Sequence, residues 1–590
     1  LPDYEHADAL TGEMLDNLVA TGFLRMAPDG TGSDIVNTVV ERMEVVSDEL
    51  DILGSVVMGL TIKCAQCHSH KYDPIPQRDY YRLVAVFKGA YDVHDWLKST
   101  SVAGQTKGIP KSRVLRYSTP EEKQQWESEK AVIQEQIDQA NAKLAKTQKR
   151  LTEKHLSKRL AKLPGELHAD LRKMLATPAE KRDEIQNYLA SKFEKNLTID
   201  ADLLKKIDPA FKKESAATDK KVKNLKASMP QEPGIRALWD RGEPSLTYIF
   251  RRGESNNPGR LVGPGVPSVL TNGAPPFEPT PPWPGSKKTG RRLAFARWLI
   301  NPEHPLTARV MVNRIWHHHF GRGIVKSLGN FGKTGVPPSH PELLDWLATE
   351  FVSHGWSVKE MHRLIMNSSA YRQSSKLTPK LDELDPENIL VSRMLIRRME
   401  AEVVRDSILS VAGQLEPTPY GKPDPVDVRA DGLVTSKRGA NGWRRSIYVL
   451  HRRKEMPTIL ENFDHPQMIP NCIERPDSTV SSQALHLLNN AMIRQLADDF
   501  AQRIQNEVGT DSYRQVERVF QVALNRMPTD EEKDLSHRTL IALKEEWKKN
   551  LKQDNQPERD KPANEDEAAS KALANFCHTM LNSAAFLYID

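Results

Sequence analysis

Cysteine is scarce in this chain: four residues among 590, too few to form a disulfide scaffold. No apolar stretch approaches the ~20 residues needed to cross a bilayer, so no transmembrane segment is read. A Gly-rich phosphate loop is missing, as is a nucleophile elbow, and nothing singles out a glycosidase pair among the carboxylates. Unbroken charge of one sign is missing too. The 84 Lys and Arg are interspersed with 78 Asp and Glu, and a net charge of +6 spread in this way argues against nucleic acid as a partner. The chain opens on Leu1 without a signal-peptide pattern. The expectation is a processed product or a fragment whose targeting segment has been removed.

What is present suffices for several cores. Hydrophobic residues make up 38 % of the chain and ten Trp are available to anchor them, so three or four domains are expected. The reading is mainly α and multi-domain, with an inserted helical arm and a small β-containing segment rich in Gly and Pro. Its divisions are 1–100, 118–230, 231–288 and 289–590.

Two of the four cysteines meet a histidine in Lys63-Cys64-Ala65-Gln66-Cys67-His68-Ser69-His70-Lys71. Cys-x-x-Cys-His is the attachment pattern of c-type haem. Two thiols at that spacing reach the two vinyl groups on one porphyrin edge, and the next residue sets an imidazole under the iron as proximal ligand. Two other readings use the same atoms. Cys64, Cys67, His68 and His70 are good zinc donors, although four ligands within seven residues are crowded for a structural site. Cys64 and Cys67 also suit a thiol–disulfide pair, catalytic or structural. Haem c leads, with Cys64 and Cys67 attaching it and His68 as the iron ligand; zinc is the alternative.

Apolar residues at three- and four-residue steps, Val39, Met43, Val46, Leu50, Leu53 and Val57 among them, predict a helix from Ser33 or Asp34 to about Ile62 that delivers the chain into Cys64. Leu10, Met14, Leu18 and Leu24 anchor an earlier helix and loop. A second helix follows Pro76, over Gln77–Lys88. Between 118 and 230 the composition turns to Glu, Lys, Gln and Ala, and Ile133, Ile137, Ala140, Leu144 and Leu151 form a heptad seam. A return helix capped by Asp208 with Pro209 in its first turn makes an antiparallel arm, through which oligomerisation is conceivable. Ser245–Arg251 reads as a strand. From Thr289 the pattern is helix after helix, including Thr307–Phe320, a capping box at Ser339-His340-Pro341-Glu342, Arg397–Leu415 and Ser482–Asn506, with Arg445–Val449 as a strand.

With these residues laid out, the chain resembles a family of secreted, cytochrome-like proteins of planctomycetes and their relatives. Residues 17–97 resemble the latter part of the second planctomycete cytochrome-like domain, through Ala20-Thr21-Gly22-Phe23, Gly59-Leu60-Thr61 ahead of the Cys64–His68 pattern, His70-Lys71-Tyr72-Asp73-Pro74-Ile75 and Asp79-Tyr80-Tyr81-Arg82-Leu83. Residues 289–590 resemble the family's C-terminal domain of unknown function. The matching runs include Thr307–Trp316, His318-His319-Phe320-Gly321-Arg322-Gly323, Pro338–Trp346, Tyr371-Arg372-Gln373-Ser374-Ser375 and Gln483-Ala484-Leu485. The resemblance covers about two thirds of the chain; what departs is the front, where family members carry more of the first module. It implies export, to the periplasm or beyond, and a cytochrome-like role, without supplying a reaction.

The leading functional expectation is therefore an exported haem protein that passes electrons to a redox partner. One rival is a haem- or metal-dependent enzyme acting on an exported substrate, a polysaccharide-derived sugar for instance. The other is a zinc-site scaffold. The iron's sixth ligand separates electron transfer from catalysis, and the sequence offers Met58, His94, His318 and His319 for it. His317, His318 and His319 point about 100° apart on a helix and cannot grip one ion together; near the helix C-terminus their imidazolium form is expected to be favoured. Trp316–Phe320 is the segment expected to approach the haem module. Arg314, Arg372, Arg405 and Asp406 read either as an anionic-ligand pocket or as paired charges. Cys472 and Cys577 read as buried thiols, with a disulfide between them left open.

Overall fold

The computed structural model describes residues 11–25, 29–31, 36–97, 113–115, 118–230, 232–271, 276–421, 423–439, 442–452, 455–467, 472–553 and 565–589. Leu10 and the proposed caps Ser33 and Asp34 lie outside them. The fold is mainly α and multi-domain; the strands of the described residues form only two-stranded sheets. No helix among the described residues is long and apolar enough to cross a membrane. The chain divides into two compact units, one of Leu1–Arg42, Ala90–Gly242 and Pro282–Lys287, the other of Met43–Gly89, Glu243–Pro281 and Lys288–Asp590.

The first unit contains the longest helix, Pro120–Leu160, opened by a reciprocal Thr119–Glu122 capping box with proline in the first turn. Ile137 and Leu151 of its seam are buried and Leu144 is half-buried. The facing helix, Pro209–Ala227, is capped by the Asp208 carboxylate, which accepts from Phe211 N at 3.0 Å. The pair is antiparallel, because the bonds between them run in opposite order: Trp126 Nε1 to Pro230 O (3.2 Å), Thr147 Oγ1 to Glu214 Oε1 (3.1 Å) and His155 Nε2 with Asp208 Oδ2 (3.1 Å). At the far end three short α-helices, His168–Ala176, Glu184–Leu189 and Lys195–Leu197, close a core of Leu160, Leu171, Met174, Leu189 and Leu197. At the near end Val114–Leu115 pairs antiparallel with Ile235–Arg236, so both ends of the excursion leave from one small sheet. Replacing residues 118–230 by a short Gly/Ser linker is therefore expected to leave the remainder soluble and cooperatively folded. Circular dichroism and a thermal melt read this, and an insoluble remainder would refute it.

The second unit begins at Met43, within helix Val39–Val57, which ends before the predicted Ile62. Gly59 stops it. At φ +62° it adopts a left-handed turn, and Leu60 N returns to Gly54 O at 2.9 Å. A Cβ on Gly59 would lie 2.8 Å from the Phe331 ring and 2.9 Å from Val310 Cγ2, so the C-terminal domain meets the first module here at backbone distance. Phe331 N donates to Gly59 O at 2.7 Å, and Lys333 N to Asp73 Oδ1 at 2.7 Å. The contacts to the first module run through Val310, the 329–335 loop and helix Arg291–Leu299, whose Phe295 ring meets that of Phe87 at 5.7 Å and whose Arg291 Nη1 donates to Ala85 O at 3.2 Å. Trp316 and Phe320 instead stack on each other (4.1 Å between ring centroids) in the core shared by Thr307–Phe320, Pro341–Ser353 and Val358–Met366.

Several local expectations are corrected. The Ser339 capping box does not form: the N-cap is His340, without a side-chain cap, and Ser339 Oγ turns to Ile324 O (3.3 Å) and His340 Nδ1 (2.9 Å). Arg397–Leu415 is not one helix. Arg397–Arg398 pairs with Tyr588–Ile589, Met399 N is taken by Leu587 O at 2.8 Å, and the helix begins at Ala401. Ser482–Asn506 breaks at Asn490, where the backbone is extended and the side-chain Oδ1 caps a second helix, Ala491–Val508, by accepting from Met492 N at 2.9 Å. Ser446–Tyr448 is a 3₁₀ turn, and the strand there is Trp443–Arg444. At Arg397–Met399 a tertiary partner takes the backbone groups that local pattern assigns to a helix.

The Thr307–Phe320 helix is entered over a buried histidine. His304 is 7 % exposed, Trp298 stands edge-on to it at 4.4 Å, and its Nδ1 accepts from Thr307 N at 3.1 Å. Burial pushes its pKa down to about 4. The folded state thus resists the proton that the unfolded chain takes up below about 6.5, so stability is intact above that pH and falls as pH drops towards 4. A falling melting temperature over that window is expected, by up to about 2–3 kcal/mol of stability from this site. His304→Asn keeps a neutral acceptor and should flatten the slope; an unchanged slope would remove His304 as its cause.

Candidate functional site

The Cys64–His68 pattern forms one 3₁₀ turn, Ile62–Gln66, with Cys67 at its end. Ile62 and Ala65 are fully buried, and plugging these two apolar side chains into the core turns Cys64, Cys67 and His68 outward. Both thiols are free and exposed. The turn is held from behind by helix Gln77–Phe87, as Gln66 O accepts from Gln77 Nε2 at 3.0 Å and from Tyr81 Oη at 2.9 Å. Gln66 Oε1 accepts from Ser47 Oγ at 3.0 Å, which ties it to helix Val39–Val57.

The two histidines of the pattern have different duties. His68 Nδ1 lies 2.7 Å from Ser69 O, and because a carbonyl only accepts, Nδ1 carries the proton and Nε2 keeps its lone pair. His70 is engaged on both sides of its ring: Nδ1 accepts from Asp73 N at 2.8 Å, and Nε2 lies 3.2 Å from Thr61 Oγ1. His70 thereby fixes the loop through Pro74. Among the described residues no group of three or more His, Cys, Asp or Glu is arranged to hold a metal ion.

The Gly/Pro-rich segment supplies the turn's flank. Its hairpin, Thr247–Phe250 with Pro258–Val262, reaches the pattern through Gln77 Nε2 to Phe250 O (3.0 Å) and the edge-on rings of Tyr81 and Phe250 (5.4 Å). Gly253, at φ +78°, lies so close that a Cβ there would come 2.8 Å from Cys67 Sγ. Burial pushes the Tyr80 and Tyr81 phenols well above their ordinary pKa, with the charge of Cys67 adding to it, so both stay neutral beside the thiols.

The four sixth-ligand candidates are dispersed. Met58 is fully buried in the core behind the turn. His94 belongs to the other compact unit, where it is exposed and its N–H donates to Asp92 Oδ1 at 2.9 Å. His319 Nε2 is 2.7 Å from His362 Nδ1, with the Tyr371 ring edge-on at 5.3 Å. His318 has Arg314, Arg397, Arg475 and Glu400 within electrostatic reach. The expected helix-terminal imidazolium is not favoured: burial, seconded by neighbouring cations, pushes His317 down to about 4 and lowers His318 and His319 as well. Desolvation outweighs the half-charge of the helix end.

The polar residues of the C-terminal domain separate likewise. Arg372 is exposed, and Arg405 is sealed with its partners inside the protein. Cys577 is a buried thiol; Cys472, against expectation, is exposed, and no disulfide joins them. A charged group that sequence reading missed centres on Glu402. Its carboxylate takes both Arg475 Nη atoms (2.7 and 3.0 Å) and faces His465 Nε2 at 3.3 Å, while His465 Nδ1 lies 2.9 Å from Pro466 O. Burial opposes that charge, but these partners together hold the Glu402 pKa far below its ordinary value. Residues 402, 465 and 475 come from a helix and two loop positions with no shared period, so no sequence signal unites them.

The turn is thus built into one compact unit with the helical C-terminal domain, and comparison of the sequence places both. Residues 5–92 match the family model PSCyt2, described as a protein of unknown function (DUF1549), and residues 291–540 match PSD1, a protein of unknown function (DUF1553). The two matches, the first N-terminal and the second C-terminal, fit the two-domain planctomycete-type arrangement. No curated protein and no solved structure matches the chain.

Proposed function

We propose that Cys64 and Cys67 attach haem c covalently, that His68 is its proximal ligand, and that the protein passes electrons to a redox partner outside the cytoplasm. The observation that carries this reading is the state of His68: Nδ1–H is spent on Ser69 O at 2.7 Å, and Nε2 is left as the free donor. Ligating histidines are oriented in this way, by a carbonyl on the far nitrogen. The donor set fits in other respects. Both thiols are reduced, exposed and three positions apart on one pinned turn, and Gly253 leaves Cys67 Sγ clear. Tyr80 and Tyr81, kept neutral, add no negative charge beneath the site. The group supplies a one-electron iron couple when bound. A zinc site here would have to do without His70, whose ring is engaged on both sides within its own loop.

The test is the full chain produced with a cytochrome c maturation system. A band that keeps haem peroxidase stain after denaturing electrophoresis is the expected result. Colourless protein with both thiols titratable, and one zinc per chain by elemental analysis, would overturn the reading in favour of the zinc alternative.

A further inference from the structure

We propose that Arg314, on helix Thr307–Phe320, anchors an oxyanion site in the C-terminal domain that takes the carboxylate, sulfate or phosphate group of a small ligand. The proposal is independent of haem. Its basis is an unbalanced charge. Arg314 is half-buried, its Nη1 is enclosed without a hydrogen-bond partner, and no carboxylate pairs with it among the described residues. Burial lowers its pKa, and the one group opposing this is the Cys472 thiol.

Other enclosed arginines of the same domain show what is missing. Arg398 is held by Asp464 (2.6 Å) and Asp477 (2.9 Å), Arg405 by Asp406 (3.2 Å), and Arg444 by Asp424 (2.8 Å). A guanidinium withdrawn from water without an anion is unfavourable, because desolvation is not offset by pairing. The groups around Arg314 do not offset it either. His317 and His318 are held neutral by burial, and Arg397, whose Nη1 donates to His318 O at 2.6 Å, adds a second positive charge. Glu400 and Glu402 face the same cluster, but both are already taken by Arg475, at 3.0 and 2.7 Å. Positive charge is left in excess beside an exposed thiol, and the planar fork of arginine matches an oxyanion in two-point geometry.

The experiment measures binding of sulfate, phosphate and acetate, each alone, to the full chain by isothermal titration calorimetry, with ionic strength held by chloride. At least one should bind; acetate as the tighter probe assigns a carboxylate ligand, and sulfate or phosphate a tetrahedral one. Arg314→Met should weaken that binding by about tenfold or more, the loss of a charge-assisted hydrogen bond, and Arg314→Lys should fall between, since it keeps charge without the fork. Bound anion should also slow iodoacetamide alkylation of Cys472 in the native chain and not in Arg314→Met. A native chain that binds none of the three probes overturns the proposal. So does equal binding by a folded Arg314→Met protein.

Discussion

Arg405→Met is expected to destabilise the C-terminal domain by about 3–5 kcal/mol, the range for removing one partner of a buried, hydrogen-bonded charge pair. Arg405 is 1 % exposed and all three of its nitrogens are used. Nε and Nη2 donate to Ser436 Oγ (3.2 and 3.1 Å), and Nη1 reaches Asp406 Oδ1 (3.2 Å), Arg444 O (3.1 Å) and Ser446 Oγ (3.2 Å). Asp406 Oδ1 in turn accepts from Ser446 N and Oγ, at 2.8 and 2.7 Å. Arg405 therefore joins helix Ala401–Val411 to the strand and loop residues 436 and 444–446, and methionine fills its volume while leaving four acceptors without this donor. Chemical denaturation of the full chain reads the effect. A loss below about 1 kcal/mol would mean that water or a neighbour replaces the guanidinium and that the network is not holding these elements together.

Cys64→Ala with Cys67→Ala should abolish covalently retained haem altogether, while His68→Ala should keep the thioethers and change the visible spectrum through loss of the proximal ligand. The same three changes should alter folding stability by no more than about 0.5 kcal/mol, because side chains that project from the surface carry little of the core. The separation follows from the turn's construction: Ile62 and Ala65 anchor it inside, and Cys64, Cys67 and His68 face out. Haem staining, the visible spectrum and a melt of each variant decide it. Unchanged stain in the double variant would remove the attachment site from this turn, whatever the chain's colour.

The sequence by itself determined what depends on neighbours along the chain. The seam from Ile133 to Leu151 and the Asp208–Pro209 start are legible because helix period and capping are local. The Cys64–His68 pattern is legible for the same reason, since its donors lie within one turn. It also carried the two-domain assignment. Tertiary structure decided whatever required a partner distant in sequence. Gly59 ends its helix against Phe331 and Val310, and Arg397–Arg398 becomes a strand through Tyr588–Ile589. His70 and Arg405 are spent on holding the protein together, while Arg314 is left with charge unmatched. The spacing of residues cannot report this, because whether a polar side chain is structural or available is set by burial and by which long-range partner satisfies it.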